Sequence, residues 1–156
     1  MNRLDLLYAR WTALLDRLQS PFLLLIRLYW GWGFLTTGWG KVTNLPKTAD
    51  YFGALGIPFP YANACAAATV ETLGGCLLLV GLGSRIVTVP LLCVLGVAYA
   101  TAESDAVKAI WTDPDQFTAA TPFLFALACL IVLLFGPGPL SVDAWIKCHR
   151  EKQTAT

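Results

Sequence analysis

Four long apolar runs constrain this chain more than any other feature. Pro21 to Gly40 carries one charge, Arg27; Ala62 to Leu82 carries one, Glu71; Ile86 to Ala102 and Ala119 to Phe135 carry none. A bilayer core about 30 Å thick needs roughly 20 apolar helical residues to cross it. The runs are continuous and do not alternate with polar residues, so they predict helices rather than strands. The fold expected is all-α: an integral membrane bundle with spans at 21–40, 62–82, 86–102 and 119–135 inside a membrane domain of residues 21–140. The overall balance agrees. Of the 156 residues, 13% are charged and 56% hydrophobic, whereas a soluble domain carries about 25% charged residues. Eleven Lys and Arg against ten Asp and Glu exclude a basic nucleic-acid binder and an acidic disordered chain.

The punctuation supports the same division. Gly81-Leu82-Gly83-Ser84-Arg85 predicts a tight turn and an antiparallel hairpin of the second and third spans. Gly136-Pro137-Gly138-Pro139 stops the fourth, and Pro122 falls in its first turn, where a missing N–H costs little. Seven Lys or Arg (Arg3, Arg10, Arg17, Arg85, Lys147, Arg150, Lys152) fall on one side of these spans and three (Lys41, Lys47, Lys108) on the other. This asymmetry predicts a multi-pass protein of the bacterial inner membrane with both termini cytoplasmic. The first run begins too late and runs too long for a cleaved signal peptide.

Residues 1–20 do not form a span. Leu4, Leu7, Trp11, Leu14 and Leu18 recur at helical spacing, with Arg3, Asp5, Arg10, Asp16 and Arg17 elsewhere on the wheel. This predicts an amphipathic helix lying on the inner leaflet, or a packing arm for a partner subunit. Loop 41–61 is apolar for an outer loop and predicts a short helix near Thr48 to Leu55, set as a lid over the outer mouth of the bundle. Loop 103–118 is acidic and predicts a solvated surface or a docking site for a partner domain. Residues 141–156 are expected to be a cytoplasmic tail.

The intramembrane charges carry the functional expectation. A charge at mid-bilayer costs at least about 2.5–3.5 kcal/mol, so such residues face the bundle and find partners. Side chains lean toward the N-terminus of their own helix. Lys41, at the outer end of the first span, therefore leans into the membrane toward Glu71, which leans outward from the second. Arg27 lies nearer in depth but leans away. Arg27, Lys41 and Glu71 are expected to form one polar cluster and to be the catalytic candidates. Trp30, Phe34 and Trp39 on the same helix would supply ring contacts to a ligand. The alternative is a buried structural pair within a small-residue packing seam. A single histidine, His149, excludes an intrinsic bis-histidine haem, and the five cysteines form no C-x-x-C motif. No intrinsic cofactor and no metal site are expected.

These residues resemble the DoxX family of small bacterial membrane proteins: Arg27 followed by Phe34, Gly38 and Lys41, then Leu55-Gly56-Ile57-Pro58, then Glu71 with Gly74-Gly75 and the Gly-rich turn before Arg85. The resemblance covers about residues 20–140. It implies a four-helix membrane bundle and a range of roles, from the large membrane subunit of a thiosulfate:quinone oxidoreductase, which works with a second subunit, to accessory proteins of membrane redox or metal-handling systems. The function expected is the membrane subunit of a redox complex, with a quinone as ligand, a small sulfur-type substrate and a protein partner. The alternative is a non-enzymatic scaffold or assembly subunit. The lipid bilayer is the expected environment under either reading.

Overall fold

Small residues decide how this chain packs. The computed structural model describes residues 3–154, in the order α1 (Arg3–Thr43), α2 (Leu45–Ala54), α3 (Pro60–Val80), α4 (Ser84–Thr101), α5 (Ser104–Lys108), α6 (Pro114–Ala119), α7 (Thr121–Phe135) and α8 (Val142–Thr154). There is no strand among the described residues. The long helices form a ring in which α1 packs on α3, α3 on α4, α4 on α7, and α7 closes back on α1. The α1–α3 seam is the tightest. A Cβ placed on Gly75 would lie 2.5 Å from the Leu35 backbone N, and one on Gly38 would lie 2.5 Å from the Thr72 N. Glycine at these positions lets the two backbones touch.

The interior joins Phe34 of α1 to Leu78 of α3, Leu91 and Leu95 of α4, and Cys129 and Val132 of α7. Phe125 closes one side, edge-on to Phe34 at 4.8 Å and to Trp30 at 4.6 Å between ring centroids. The polar pattern is inverted relative to a soluble protein. Arg27, Glu71, Ser84 and Thr88 are buried, while Leu25, Tyr29, Trp32, Ile86, Leu124 and Leu134 are exposed. An apolar exterior around buried charges is what a lipid environment selects. α3 and α4 are each long and apolar enough to cross a membrane, and α7 is more apolar than either but shorter, at 15 residues.

The structure departs from the sequence reading at three places. Residues 3–20 are not a separate helix: α1 runs without interruption through Pro21 into the first apolar run. Leu, Ala, Arg and Gln on either side of the proline favour helix, and the local cost is the Arg17 carbonyl, which Pro21 has no N–H to satisfy. The acidic segment 103–118 contains two short helices, α5 and α6. The tail is helical from Val142 and folds back: the Asp143 carboxylate accepts from the N–H groups of Gly83 at 2.7 Å and Ser84 at 3.0 Å. That carboxylate caps α4 where the turn offers no capping side chain of its own; Gly81 and Gly83 take the left-handed φ values of 76° and 57° that the turn requires.

Candidate functional site

The end of α1, the middle of α3 and the short helix between them build the site. Lys41 lies in the last turn of α1 and Glu71 in the middle of α3. Because the helices run antiparallel, the leaning of their side chains brings the two charges together. The Lys41 ammonium donates to Glu71 Oε2 in an ion pair whose side chains are 28% and 7% exposed. The Gly38 and Gly75 contacts hold the backbones close from the level of Glu71 toward the Arg27 end of the bundle.

The pair forms part of the wall of a cavity of about 320 Å³. α2 roofs it with Tyr51 and Phe52, and Leu55 and Ile57 follow from the loop behind. α2 forms because Pro46 stands in its first turn and the Leu55 N–H closes its last turn on the Tyr51 carbonyl. It packs on α3. The short helix expected at Thr48 to Leu55 is thus α2, which begins three residues earlier and ends at Ala54, over the Lys41 end of the bundle. Val70 of α3 and Val94 and Ala98 of α4 form the apolar walls, with Asn63, Thr101, Thr121 and a second carboxylate, Glu103, as the other polar groups. The Glu71 side chain, 7% exposed, is largely out of water, so the field of the ion pair acts at a lower effective dielectric than at a surface. An ammonium has three donors. With one directed to Glu71, Lys41 can offer another to an oxygen in the cavity, and Glu71 can exchange a proton with it.

The expected cluster of three charges does not form. Arg27 lies 14 residues before Lys41, about 21 Å along the axis at 1.5 Å per residue, at the opposite end of the bundle. It is 1% exposed and its Nη2 donates to the Leu140 carbonyl at 2.8 Å. Its Nε and Nη1 have no hydrogen-bond partner. The divergent lean of Arg27 and Glu71 is the physical reason, and Arg27 serves the loop between α7 and α8 instead. The expected aromatic wall is also displaced. Phe34 is buried in the interior, Trp30 lines a shallow outer groove with Tyr29, Trp32 and Phe125, and Trp39 is 60% exposed on the outside. None of the three lines the Lys41–Glu71 cavity. The rings facing it come from α2. Tyr51 and Phe52 were visible in the sequence as the unusual apolar content of loop 41–61, although not as ligand contacts.

Comparison with known proteins agrees with this architecture. The DoxX family model matches residues 22–104, more than half of the chain, spanning α1 from Phe22 through the whole of α4 and including both members of the ion pair. A Bacillus subtilis (strain 168) protein named "Putative oxidoreductase CatD" is 30% identical over 123 residues, which cover 79% of this chain and 85% of that protein. No solved structure matches. With its apolar exterior, its buried charges and the match across α1 to α4, the chain belongs to the DoxX family and is a membrane protein.

Proposed function

We propose that this protein is a multi-pass subunit of the bacterial inner membrane that binds the headgroup of a quinone in the Lys41–Glu71 cavity and works in a redox complex with a protein partner. The observation that carries the reading is an ion pair, its carboxylate buried, set in the wall of a mostly apolar cavity and covered by two aromatic rings. Ligand sites of this kind are mostly apolar, with a few convergent polar groups fixing orientation. α1, α3, α4 and α7 serve as the four spans, and both termini face the cytoplasm, following the seven-to-three distribution of Lys and Arg. The similarity to a protein named as an oxidoreductase supports the redox role.

Reduction of a quinone to a quinol takes two electrons and two protons. Lys41 would donate a hydrogen bond to the carbonyl oxygen as negative charge develops there, and Glu71 would pass protons between that oxygen and the lid end of the cavity. The electrons would come from the partner, through oxidation of a small substrate of the sulfur-oxyanion type. Lys47, exposed on α2, adds positive charge to the lid helix for an anion.

The test is quinone binding by the purified full-length protein. A hydrogen bond from a charged group contributes about 1.5–3 kcal/mol, so the Lys41→Met/Glu71→Gln double variant is expected to bind about 10- to 100-fold more weakly while keeping its helical circular dichroism. Absence of quinone binding by the unaltered protein, or equal binding by the double variant, overturns the proposal.

A further inference from the structure

Residues 3–19 of α1 are exposed except for the half-buried Thr12, and their surface is not arbitrary. α1 contains 41 residues, about 62 Å at 1.5 Å per residue, roughly twice the hydrocarbon thickness. The part before Pro21 therefore extends beyond the bilayer core. On that part Leu4, Leu7, Trp11, Leu14 and Leu18 are all exposed, at 77%, 61%, 60%, 49% and 52%. Arg3, Arg10 and Arg17, each seven residues from the next, form a single line along one flank of this stripe.

The phase of the stripe relative to the bundle gives it meaning. At about 100° per residue, the buried face of α1 (Leu23, Arg27, Gly31, Phe34 and Gly38) continues toward the N-terminus as Ala9, Asp16 and Ser20. The leucine stripe lies on the opposite face, in line with the exposed Leu25, Tyr29 and Trp32. Pro21, at the junction, has no N–H for the Arg17 carbonyl, so the helix is weakest there. A bend at Pro21 directed away from the bundle turns the leucine stripe up against the leaflet at which α1 enters. A bend toward the bundle would turn it to water.

We infer that residues 3–20 form an arm, hinged at Pro21, that docks on an anionic lipid surface. The leucines and Trp11 enter the acyl boundary, and the three arginines meet headgroup phosphates. The inference depends on the chain spanning a membrane and is independent of the quinone reading.

The experiment uses the full chain in vesicles, with a nitroxide attached at Leu14→Cys or at Asp16→Cys in a background whose five cysteines are replaced. In phosphatidylglycerol-rich vesicles the label at position 14 is expected to be reached by oxygen and shielded from an aqueous nickel chelate, with the reverse at position 16. A basic side chain near an anionic surface is worth roughly five-fold, so Arg3, Arg10 and Arg17→Gln together are expected to weaken docking about a hundred-fold, as is pure phosphatidylcholine. Equal access of the nickel chelate to both labels would leave the arm in water and overturn the inference. A photo-crosslinker at Leu14 in the native-cysteine chain gives an independent reading. Lipid adducts support docking on the leaflet, whereas adducts to protein, including a second copy of the chain, overturn it.

Discussion

Replacing Gly75 with alanine tests the seam on which the site is built. The added Cβ would lie 2.5 Å from the Leu35 N, 2.7 Å from the Gly31 carbonyl oxygen and 2.9 Å from the Leu35 Cα. All three are α1 backbone atoms, so no rotamer change relieves the clash, and α1 and α3 must part by about 1 Å to restore ordinary contact. Overpacking of this kind costs about 1–3 kcal/mol. Alanine recovers up to about 1 kcal/mol through its better helix propensity, leaving a net loss of roughly 1–2 kcal/mol. For a chain of this size that lowers the Tm by about 2–8 °C. The internal control is a second pair of helical glycines, Gly40 and Gly96, where a Cβ would meet nothing within 4 Å. Gly40→Ala and Gly96→Ala should leave the Tm unchanged or raise it. Thermal unfolding followed by circular dichroism in detergent compares the three variants directly. If Gly75→Ala melts with Gly96→Ala, the α1–α3 seam is not the close backbone contact described here.

Other perturbations separate structural from functional charges. Lys41→Met alone leaves Glu71 buried without its cation and should destabilise by up to about 3–5 kcal/mol, whereas the Lys41→Met/Glu71→Gln double variant should recover most of that loss in chemical denaturation. Arg27→Met keeps most of the volume and removes two unpartnered nitrogens, so it should stay within about 1 kcal/mol of the parent; Arg27→Ala opens a cavity and should lose about 2–5 kcal/mol in the same assay. Asp143→Ala removes the acceptor of two N–H groups at the start of α4 and should cost about 1–2 kcal/mol, with faster amide exchange at Gly83 and Ser84 as its local signature.

What could be read from the sequence was what depends on local pattern. The expected runs at 62–82, 86–102 and 119–135 match α3, α4 and α7 to within two residues at each end, and 21–40 lies inside α1, because continuous apolar runs leave little choice but helix; only Pro21, which α1 passes through, failed as a limit. The Lys41–Glu71 pair was legible because the lean of a side chain follows from helix direction, a local quantity. The partner of Arg27 was not, since the Leu140 carbonyl is 113 residues away and a backbone carbonyl leaves no mark in composition. Trp39 shows the limit of reading a stripe. It lies next to Gly38 and two residues from Lys41, yet it points outward, because one position along a helix is a rotation of about 100°. The opposite error concerned Tyr51 and Phe52, whose apolar character was evident while their place over the ion pair depended on how α2 lies against α3.

Arg27 links two parts of the chain that the family match keeps apart. The matched segment ends at residue 104, but the carbonyl that receives the Arg27 guanidinium belongs to residue 140, and the carboxylate capping α4 belongs to residue 143. A shortened chain cut at the edge of the family match would leave the buried Arg27 guanidinium without its carbonyl and uncap its third long helix. The segment that defines the family is therefore smaller than the segment that supplies its buried polar groups with partners.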